Sequence, residues 1–316
     1  MATSVRSTAA PTIAALIPSW RRSLVAANRS PRTVRRYVDD VTLLARYLED
    51  NKLPTAIATV GREHAEMFVS WQLQHHKPAS AATRFRSCTA FFKWALGEGE
   101  IKASPMVRMI EPGIPETSIP VIPDEDITRL LATCENRADF RDRRDAAMML
   151  LLIDAGLRAS ELCGIAVTDV DLDRGIVRVL HAKGRRVRNV PIGARTTKAL
   201  DRHLRARASH KDAAREELFV GERGPVTPSG LRQILAARSS EAGVPMRSAH
   251  KWRHTSVHLA LSAGASEGDA MTVYGWRSRQ MLARYGSAQA EARAIEAHRR
   301  FGPADRLGQK KTGSGR

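Results

Sequence analysis

A proline-rich stretch constrains the fold of this chain more than any other feature of its sequence. The segment 111–126 reads EPGIPETSIPVIPDED and holds four prolines in sixteen residues. Proline lacks a backbone donor and clashes with the preceding helical turn, so no regular helix or central strand can run through the segment. We interpret residues 113–122 as an extended linker. The resulting division is a flexible arm at 1–13, a first domain at 14–112, a second domain at 123–301 and a flexible basic tail at 302–316.

The first domain reads as a group of helices. In SPRTVRRYVDDVTLLARYLED, Ser30 can cap a helix whose first turn holds Pro31. Apolar residues then recur three and four positions apart as far as Leu48, which predicts one buried face. Further helices are predicted over 60–75 and 80–96, so this domain is expected to be helical throughout.

The second domain combines helices with one clear hairpin, GIVRVLHAKGRRVRNVPI. Val177 and Val179 alternate with other residues, AKGRR supplies the turn, and the strand at 187–192 returns. The run 146–153 is apolar on every side, which predicts a buried helix with Gly156 as its C-cap. The predicted fold class is therefore mainly α with a small β-hairpin or sheet, in two domains.

The charge balance favours a polyanionic partner. The chain has 51 lysines and arginines against 33 acidic residues, which gives a net charge of +18. The excess is spread along the chain, with 16 basic and 9 acidic residues in 1–112 and 35 against 24 in the remainder. Both domains can therefore face the same polyanion, most simply nucleic acid.

Cysteine content and hydropathy indicate the cellular compartment of the protein. The three cysteines, Cys88, Cys134 and Cys163, are odd in number and far apart, which favours a reducing compartment without disulfides. No apolar run approaches the roughly 18 residues of a membrane span. We therefore expect a cytoplasmic, nucleoid-associated protein in a bacterial or phage-infected cell, with no membrane contact.

The stretch SAHKWRHTSVHLAL concentrates cationic and titratable groups. His250, Arg253 and His254 lie three and four residues apart, so a helix places them on one face, where they call for an anion in front of them. A metal pair is the rival interpretation because two histidines four apart can share an ion. The intervening residues lack the glutamate of a zinc protease and include a cation that would repel a metal, so no metal is expected.

Three further residues each allow a structural and a functional interpretation. Arg158 follows the C-cap of the apolar helix and is either an ordinary surface partner of Glu161 or a rigidly held cation. Lys183, at the hairpin tip, is either a solvated turn residue or a mobile proton donor. Tyr285, in ARYGSA, is either a packing residue or a nucleophile.

Taken together and in this order, these residues resemble the tyrosine recombinase family, also called the phage integrase family. The matching residues are Arg158 in AGLRASEL, Lys183 in HAKGRR, His250 and Arg253 in HKWRH, Trp276 in YGW and Tyr285 in ARYGSA. The chain departs from common family patterns at Ala155, where threonine is frequent, and at Trp276, where histidine is frequent. Neither change removes a catalytic group, since the indole still offers an N–H donor.

The resemblance implies a site that stabilises the extra negative charge of a phosphodiester under attack. Arg158 and Arg253 would each offer a bidentate fork to the non-bridging oxygens, and His250 and Trp276 would add N–H donors. These fixed cations would take the place of a metal, and no nucleotide-binding loop of the GxxxxGK type is present, so no cofactor is expected.

By the same resemblance, Tyr285 attacks the scissile phosphate and forms a 3′-phosphotyrosyl bond, which a free 5′-hydroxyl can later religate. Lys183 protonates the departing 5′-oxygen. Glu161 would orient Arg158 or His250 rather than react. His254 is expected to pack or to form a hydrogen bond.

The family resemblance also implies the partners. Double-stranded DNA recombination sites would lie in a C-shaped clamp formed by a helical core-binding domain and the catalytic domain. A homotetramer would assemble on DNA by exchange of the C-terminal helix AQAEARAIEAHRRF, and an accessory directionality factor is a further partner to consider. The candidates for contact with the DNA are Arg32, Arg35, Arg36, Arg84, Arg86 and Lys93 in the first domain and Arg185 and Arg186 in the hairpin.

The preferred function is a simple phage or mobile-element integrase acting on short core sites. The first alternative is a Xer-like chromosome or plasmid resolvase. A type IB topoisomerase uses similar chemistry, and a DNA-binding relative that has lost catalysis is the alternative from another functional class.

Overall fold

In the computed structural model the chain forms two units, residues 1–117 and 118–316. It describes residues 10–115, 120–135, 139–180 and 187–276, together with Ile295, His298 and Arg299. Among the described residues, no helix combines the length and the hydropathy that crossing a membrane requires.

The first unit is helical in its described part, as the sequence predicts. Its helices are α1 (Ile13–Ala26), α2 (Pro31–Asp50), α3 (Arg62–His75) and α4 (Pro78–Gly97), with a short 3₁₀ turn at Ile57–Thr59. The Ser30 hydroxyl caps α2 by accepting a hydrogen bond from the Thr33 amide at 3.2 Å, and Pro31 follows it. The predicted start of this helix is confirmed.

Aromatic side chains fill the centre of the first unit. Trp20 lies edge-on to Phe91 with ring centroids 5.1 Å apart, and Phe92 is also fully buried. Leu44 and Leu48, from the predicted stripe of α2, join the same cluster. Trp94 packs against this cluster from a half-buried position.

The second unit contains seven described helices and two small antiparallel sheets. The helices are α5 (Asp124–Glu135), α6 (Phe140–Ala155), α7 (Ala159–Cys163), α8 (Ala194–Arg207), α9 (Pro228–Glu241), α10 (Ala249–Ser262) and α11 (Glu267–Tyr274). The strands are β1 (Val170–Asp171), β2 (Ile176–Leu180) and β3 (Val187–Pro191) in one sheet, and β4 (Val220–Gly221) and β5 (Gly224–Pro225) in the other.

The predicted hairpin corresponds to β2 and β3, which pair with Val177 opposite Val190 and Val179 opposite Arg188. Strand β1 adds to the free edge of β2 and was not predicted. The tip of the hairpin, residues 181–186, lies outside the described residues.

Helix α6 is the centre of the second unit. Its residues 147–152 are all buried, because α5, α8 and α10 pack around it. The helix ends where predicted, since Gly156 adopts a left-handed conformation with φ +55° and its amide bonds to the carbonyl of Leu152. Arg158 thereby follows two residues after the C-cap of a buried helix.

Two residues at the expected domain boundaries belong to packed structure instead. Ile13, placed in the flexible arm, begins α1 and is 1% exposed, because Thr12 caps the helix and the Ile13 amide bonds to the carbonyl of Thr55. Ile122, placed in the linker, is 1% exposed and donates its amide to the Thr255 hydroxyl. Both side chains are apolar, and each packs into the hydrophobic core of its own unit. The arm and the linker are therefore each at least one residue shorter than expected.

Candidate active site

Arg158 is held at the start of α7 by the carboxylate three residues ahead of it. Its amide donates to Glu161 Oε2 at 3.0 Å, and its Nη1 donates to Glu161 Oε1 at 2.7 Å. About a third of the arginine side chain remains exposed, whereas the glutamate side chain is 1% exposed. The carboxylate therefore fixes this guanidinium from the protein side while leaving part of it at the surface.

Glu161 serves a second arginine as well. Arg188 on β3 donates Nη2 to Oε2 at 2.9 Å and Nη1 to Oε1 at 3.2 Å. Burial alone raises the pKa of the Glu161 carboxyl. The hydrogen bonds from Arg188 and from the Arg158 amide, with the charge of Arg188, outweigh burial and lower this pKa to about 2. The carboxylate is ionised throughout the physiological range and shared by two guanidinium groups.

Arg253 is buried and bonds to two backbone carbonyls. Its Nη1 donates to the carbonyl of Gly156 at 2.6 Å, and its Nη2 donates to the carbonyl of Tyr274 at 2.7 Å. These oxygens lie at the C-terminal ends of α6 and α11, where the helix dipoles place partial negative charge. These dipoles stabilise the buried cation.

Trp276 lies beside this guanidinium. Helix α11 ends in a Schellman motif, in which Gly275 has φ +67° and the Trp276 amide bonds to the carbonyl of Met271 at 2.9 Å. This turn directs the indole into the site, where its ring centroid lies 5.2 Å from Arg253 Cζ. The indole is 6% exposed.

His250 and His254 form a hydrogen-bonded pair on α10. Their Nε2 atoms are 2.9 Å apart and their rings are perpendicular. Burial, followed by the charges of Arg253 and Arg158, lowers the pKa of His250. Burial, His250 and Arg253 lower the pKa of His254 to about 4. Both imidazoles are therefore neutral at pH 7. One of them donates an N–H hydrogen bond to the other, and neutral His250 can accept a proton from a substrate.

The described part of the site thus brings the predicted residues into one cluster. Arg253 bonds to Gly156, two positions before Arg158, and Trp276 lies against Arg253. The charges of both arginines lower the pKa of His250. Two cations, an indole and a neutral imidazole can together surround a phosphate. Among the described residues, no group of three His, Cys, Asp or Glu side chains is arranged to hold a metal ion.

Several predicted residues are not part of this described cluster. Lys183, Arg185, Arg186 and Tyr285 lie outside the described residues, so their roles stay predictions. In the first unit, the predicted DNA contacts Arg32, Arg35, Arg36 and Lys93 are exposed.

The other two predicted DNA contacts already have protein partners. Arg84 is less than a quarter exposed and bonds to Gln72, and Arg86 pairs with Glu111. A phosphate would have to compete with these partners, and with Asp40 at Arg36, which makes Arg32, Arg35 and Lys93 the stronger candidates.

Arg188 is the site residue that the sequence analysis missed. Its signal was present, since position 188 faces the same side of the hairpin as the apolar residues Val177, Val179 and Val190. An arginine in such a register position requires a buried acceptor. Its partner lies 27 residues away in the sequence, and nothing local identifies it.

The chain belongs to the phage integrase family. Residues 120–292 match that family, and residues 17–99 match its N-terminal SAM-like domain. Its relatives are named tyrosine recombinases, and the chain is a site-specific tyrosine recombinase.

Two of these relatives are tyrosine recombinases XerC. The protein of Myxococcus xanthus is 31% identical over 265 residues, which cover 81% of this chain and 87% of the relative. That of Corynebacterium glutamicum is 31% identical, with 87% of each chain covered. Tyrosine recombinase XerD of Listeria monocytogenes is 26% identical over 77% of this chain and 83% of its own.

Solved structures share the fold. The Tn1549 transposon integrase in complex with a circular intermediate DNA superposes with a TM-score of 0.74 at 19% identity, covering 92% of this chain and 99% of that one. A lambda integrase tetramer bound to a Holliday junction gives 0.68 at 16% identity, covering 85% and 78%. The predicted fold class is confirmed.

Proposed function

We propose that this protein is a Xer-type recombinase that exchanges DNA strands at a chromosomal or plasmid site through a phosphotyrosyl intermediate. The observation that carries the proposal is the cluster of Arg158, Arg253, His250 and Trp276. It presents two cations and a neutral imidazole in the way that a phosphoryl transfer requires. The relatives named XerC match this chain over most of their length, which favours the Xer type.

The proposed chemistry begins at Tyr285. The phenol oxygen attacks the scissile phosphorus and gives its proton to neutral His250, whose lowered pKa keeps it able to accept one at pH 7. The P–O5′ bond breaks, and Lys183 protonates the departing 5′-oxygen. Attack by a 5′-hydroxyl of another strand reverses these steps and restores the tyrosine.

Arg158 and Arg253 are held in different ways. Arg253 is held by the carbonyls of Gly156 and Tyr274, and its guanidinium would bind a non-bridging oxygen. Arg158 is anchored to Glu161 and aims its fork at the same phosphate. We propose that a homotetramer on two DNA sites performs the exchange, with the first unit contacting the DNA backbone.

A mobile-element integrase is the second candidate. Ala155 and Trp276 depart from the residues most frequent in the family, and the Arg-rich first unit suits short core sites. The two candidates share chemistry and differ in the DNA that they cut.

An adduct trap distinguishes them. The protein is incubated without metal with nicked duplexes carrying either the chromosomal resolution site of its host or the sequences that flank its own gene, and SDS-resistant protein–DNA species are measured. Adduct at the resolution site supports the Xer type. Adduct only at the flanking sequences would contradict the Xer type and favour a mobile-element integrase.

Two tyrosine variants make this experiment decisive. Tyr285→Phe should abolish the adduct and keep DNA affinity within about threefold, because the change removes one oxygen. Tyr37→Phe, in the first unit, is the matched control and should cleave like the unaltered protein. Tight binding without adduct in the unaltered protein would contradict the proposal in favour of an inactive DNA-binding relative.

A further inference from the structure

Arg188 occupies a position in the sheet where an apolar residue is expected. Directly opposed residues of an antiparallel pair share a face, and Arg188 opposes Val179 while Val190 opposes Val177. The three valines are fully buried, and the arginine side chain is 13% exposed. A charge in such a place costs folding free energy unless it is paired, so its presence indicates a task that an apolar residue cannot perform.

The contacts of Arg188 join separate segments of the active site. Nη1 and Nη2 bond to Glu161, the residue that holds Arg158. Nε donates to the carbonyl of Val273 at 3.1 Å, one turn from Trp276. One guanidinium thus links the segment that holds Arg158 to the helix that precedes Trp276.

Close packing against a glycine fixes the Arg188 side chain further. A Cβ at Gly275 would lie 3.2 Å from Arg188 Nη1 and 3.4 Å from its Cδ, so the arginine lies flat against this glycine. Gly275 is the left-handed residue that turns the chain into Trp276. The arginine therefore supports the turn that directs the indole.

The charge of Arg188 matters as much as its position. One carboxylate shared by two guanidinium groups leaves a net charge of +1, whereas Glu161 paired with Arg158 alone would be neutral. A neutral pair attracts a phosphate far less than a cation does. With Arg188 present, Glu161 can orient Arg158 without cancelling the charge that meets the DNA.

We propose that Arg188 is a positioning residue for strand cleavage: by sharing Glu161 with Arg158 it keeps Arg158 oriented and cationic, and by bonding to the end of α11 it holds the Trp276 turn. This inference rests on the proposed function, in which Arg158 contacts the scissile phosphate.

The test compares three variants in single-turnover cleavage of a nicked duplex at saturating DNA. Arg188→Gln should slow cleavage by about 10²-fold and leave the Kd for DNA within about threefold, because the arginine acts through Arg158. Arg188→Lys keeps a charge but loses the bidentate fork, so it should recover only part of the rate. Arg178→Gln is the matched control. Arg178 lies on the neighbouring strand β2, is half exposed and pairs with Asp169 at 2.8 Å. This variant should cleave normally.

A pH profile separates positioning from a loss of structure. Removing Arg188 takes away the principal hydrogen bonds that lower the pKa of Glu161, so cleavage by Arg188→Gln should decline toward acid pH at a higher pH than cleavage by the unaltered protein. Arg188→Lys should lie between the two.

The outcomes distinguish this inference from the proposed function. Unchanged rate and pH profile in Arg188→Gln, with the unaltered protein active and Tyr285→Phe inactive, would overturn the positioning role alone. An equal loss of rate in Arg188→Gln and Arg178→Gln would also overturn it, because a general weakening of the sheet would then explain both. Absence of cleavage by the unaltered protein would overturn the proposed function and this inference together.

Discussion

Replacing Gly156 by alanine tests how closely the arginine site depends on the end of α6. Gly156 has φ +55°, and a Cβ there would lie 2.7 Å from Tyr274 Cδ1 and 3.0 Å from Ser256 Oγ. Neither neighbour can move freely. The Tyr274 hydroxyl is hydrogen-bonded to Ser256, and the Tyr274 carbonyl accepts from Arg253. The added methyl group therefore meets a fixed ring rather than a flexible chain end.

The magnitude follows from two separate costs. A residue other than glycine in the left-handed conformation costs roughly 1–2 kcal/mol. Forcing a methyl group into a packed interior costs about 1–3 kcal/mol more. A loss of about 3 kcal/mol in the free energy of unfolding lowers the Tm of a domain of this size by roughly 6–12 °C.

Gly243→Ala is the matched control. Gly243 has φ +63°, but its Cβ would meet only the Nη2 end of Arg129 at 3.1 Å. The control carries the conformational cost and little of the steric one, so its Tm should fall about half as far or less. Thermal unfolding by circular dichroism gives both values, and cleavage by Gly156→Ala at 25 °C should fall at least tenfold as Arg253 shifts. Equal Tm losses in the two variants would refute the claim that Tyr274 is fixed against α6.

Two further predictions concern the core of the second unit. Arg238→Met should lower the free energy of unfolding by about 3–5 kcal/mol in urea denaturation, because it removes a buried cation that bonds to the carboxylates of Asp142 at 2.6 Å and Asp145 at 2.9 Å, the latter shared with Arg144; a loss below 1 kcal/mol would contradict this. Burial lowers the pKa of His203 to about 4 in the folded state. Between about pH 6.5 and 4 the unfolded state therefore binds a proton at this histidine and the folded state does not. Stability should fall by up to roughly 3 kcal/mol between pH 6.5 and 4, and His203→Gln should flatten this decline in Tm; an unchanged slope would contradict the assignment.

The sequence predicts those elements whose signals are local. Ser30 and Pro31 announce α2, Gly156 marks the end of α6, and alternating valines mark β2. Strand β1 escapes prediction because two residues are too few to show alternation.

The candidate site shows the same limit. Arg158, His250 and Arg253 were found because a family resemblance ordered residues that are distant in sequence. Arg188 was missed because its task depends on Glu161, and only the folded sheet brings the two together. The dipole partners of Arg253 are backbone oxygens, which no side-chain pattern reveals.

The most direct test of the account identifies the residue that becomes attached to DNA. The trapped adduct is digested with nuclease and trypsin, and the peptide that carries a residual nucleotide is sequenced by mass spectrometry. Cleavage after Arg284 and Arg293 releases YGSAQAEAR, in which Tyr285 is the only tyrosine. A 3′-phosphonucleotide is expected on this peptide and on no other. A nucleotide on a peptide that holds Tyr37, Tyr47 or Tyr274 would contradict it.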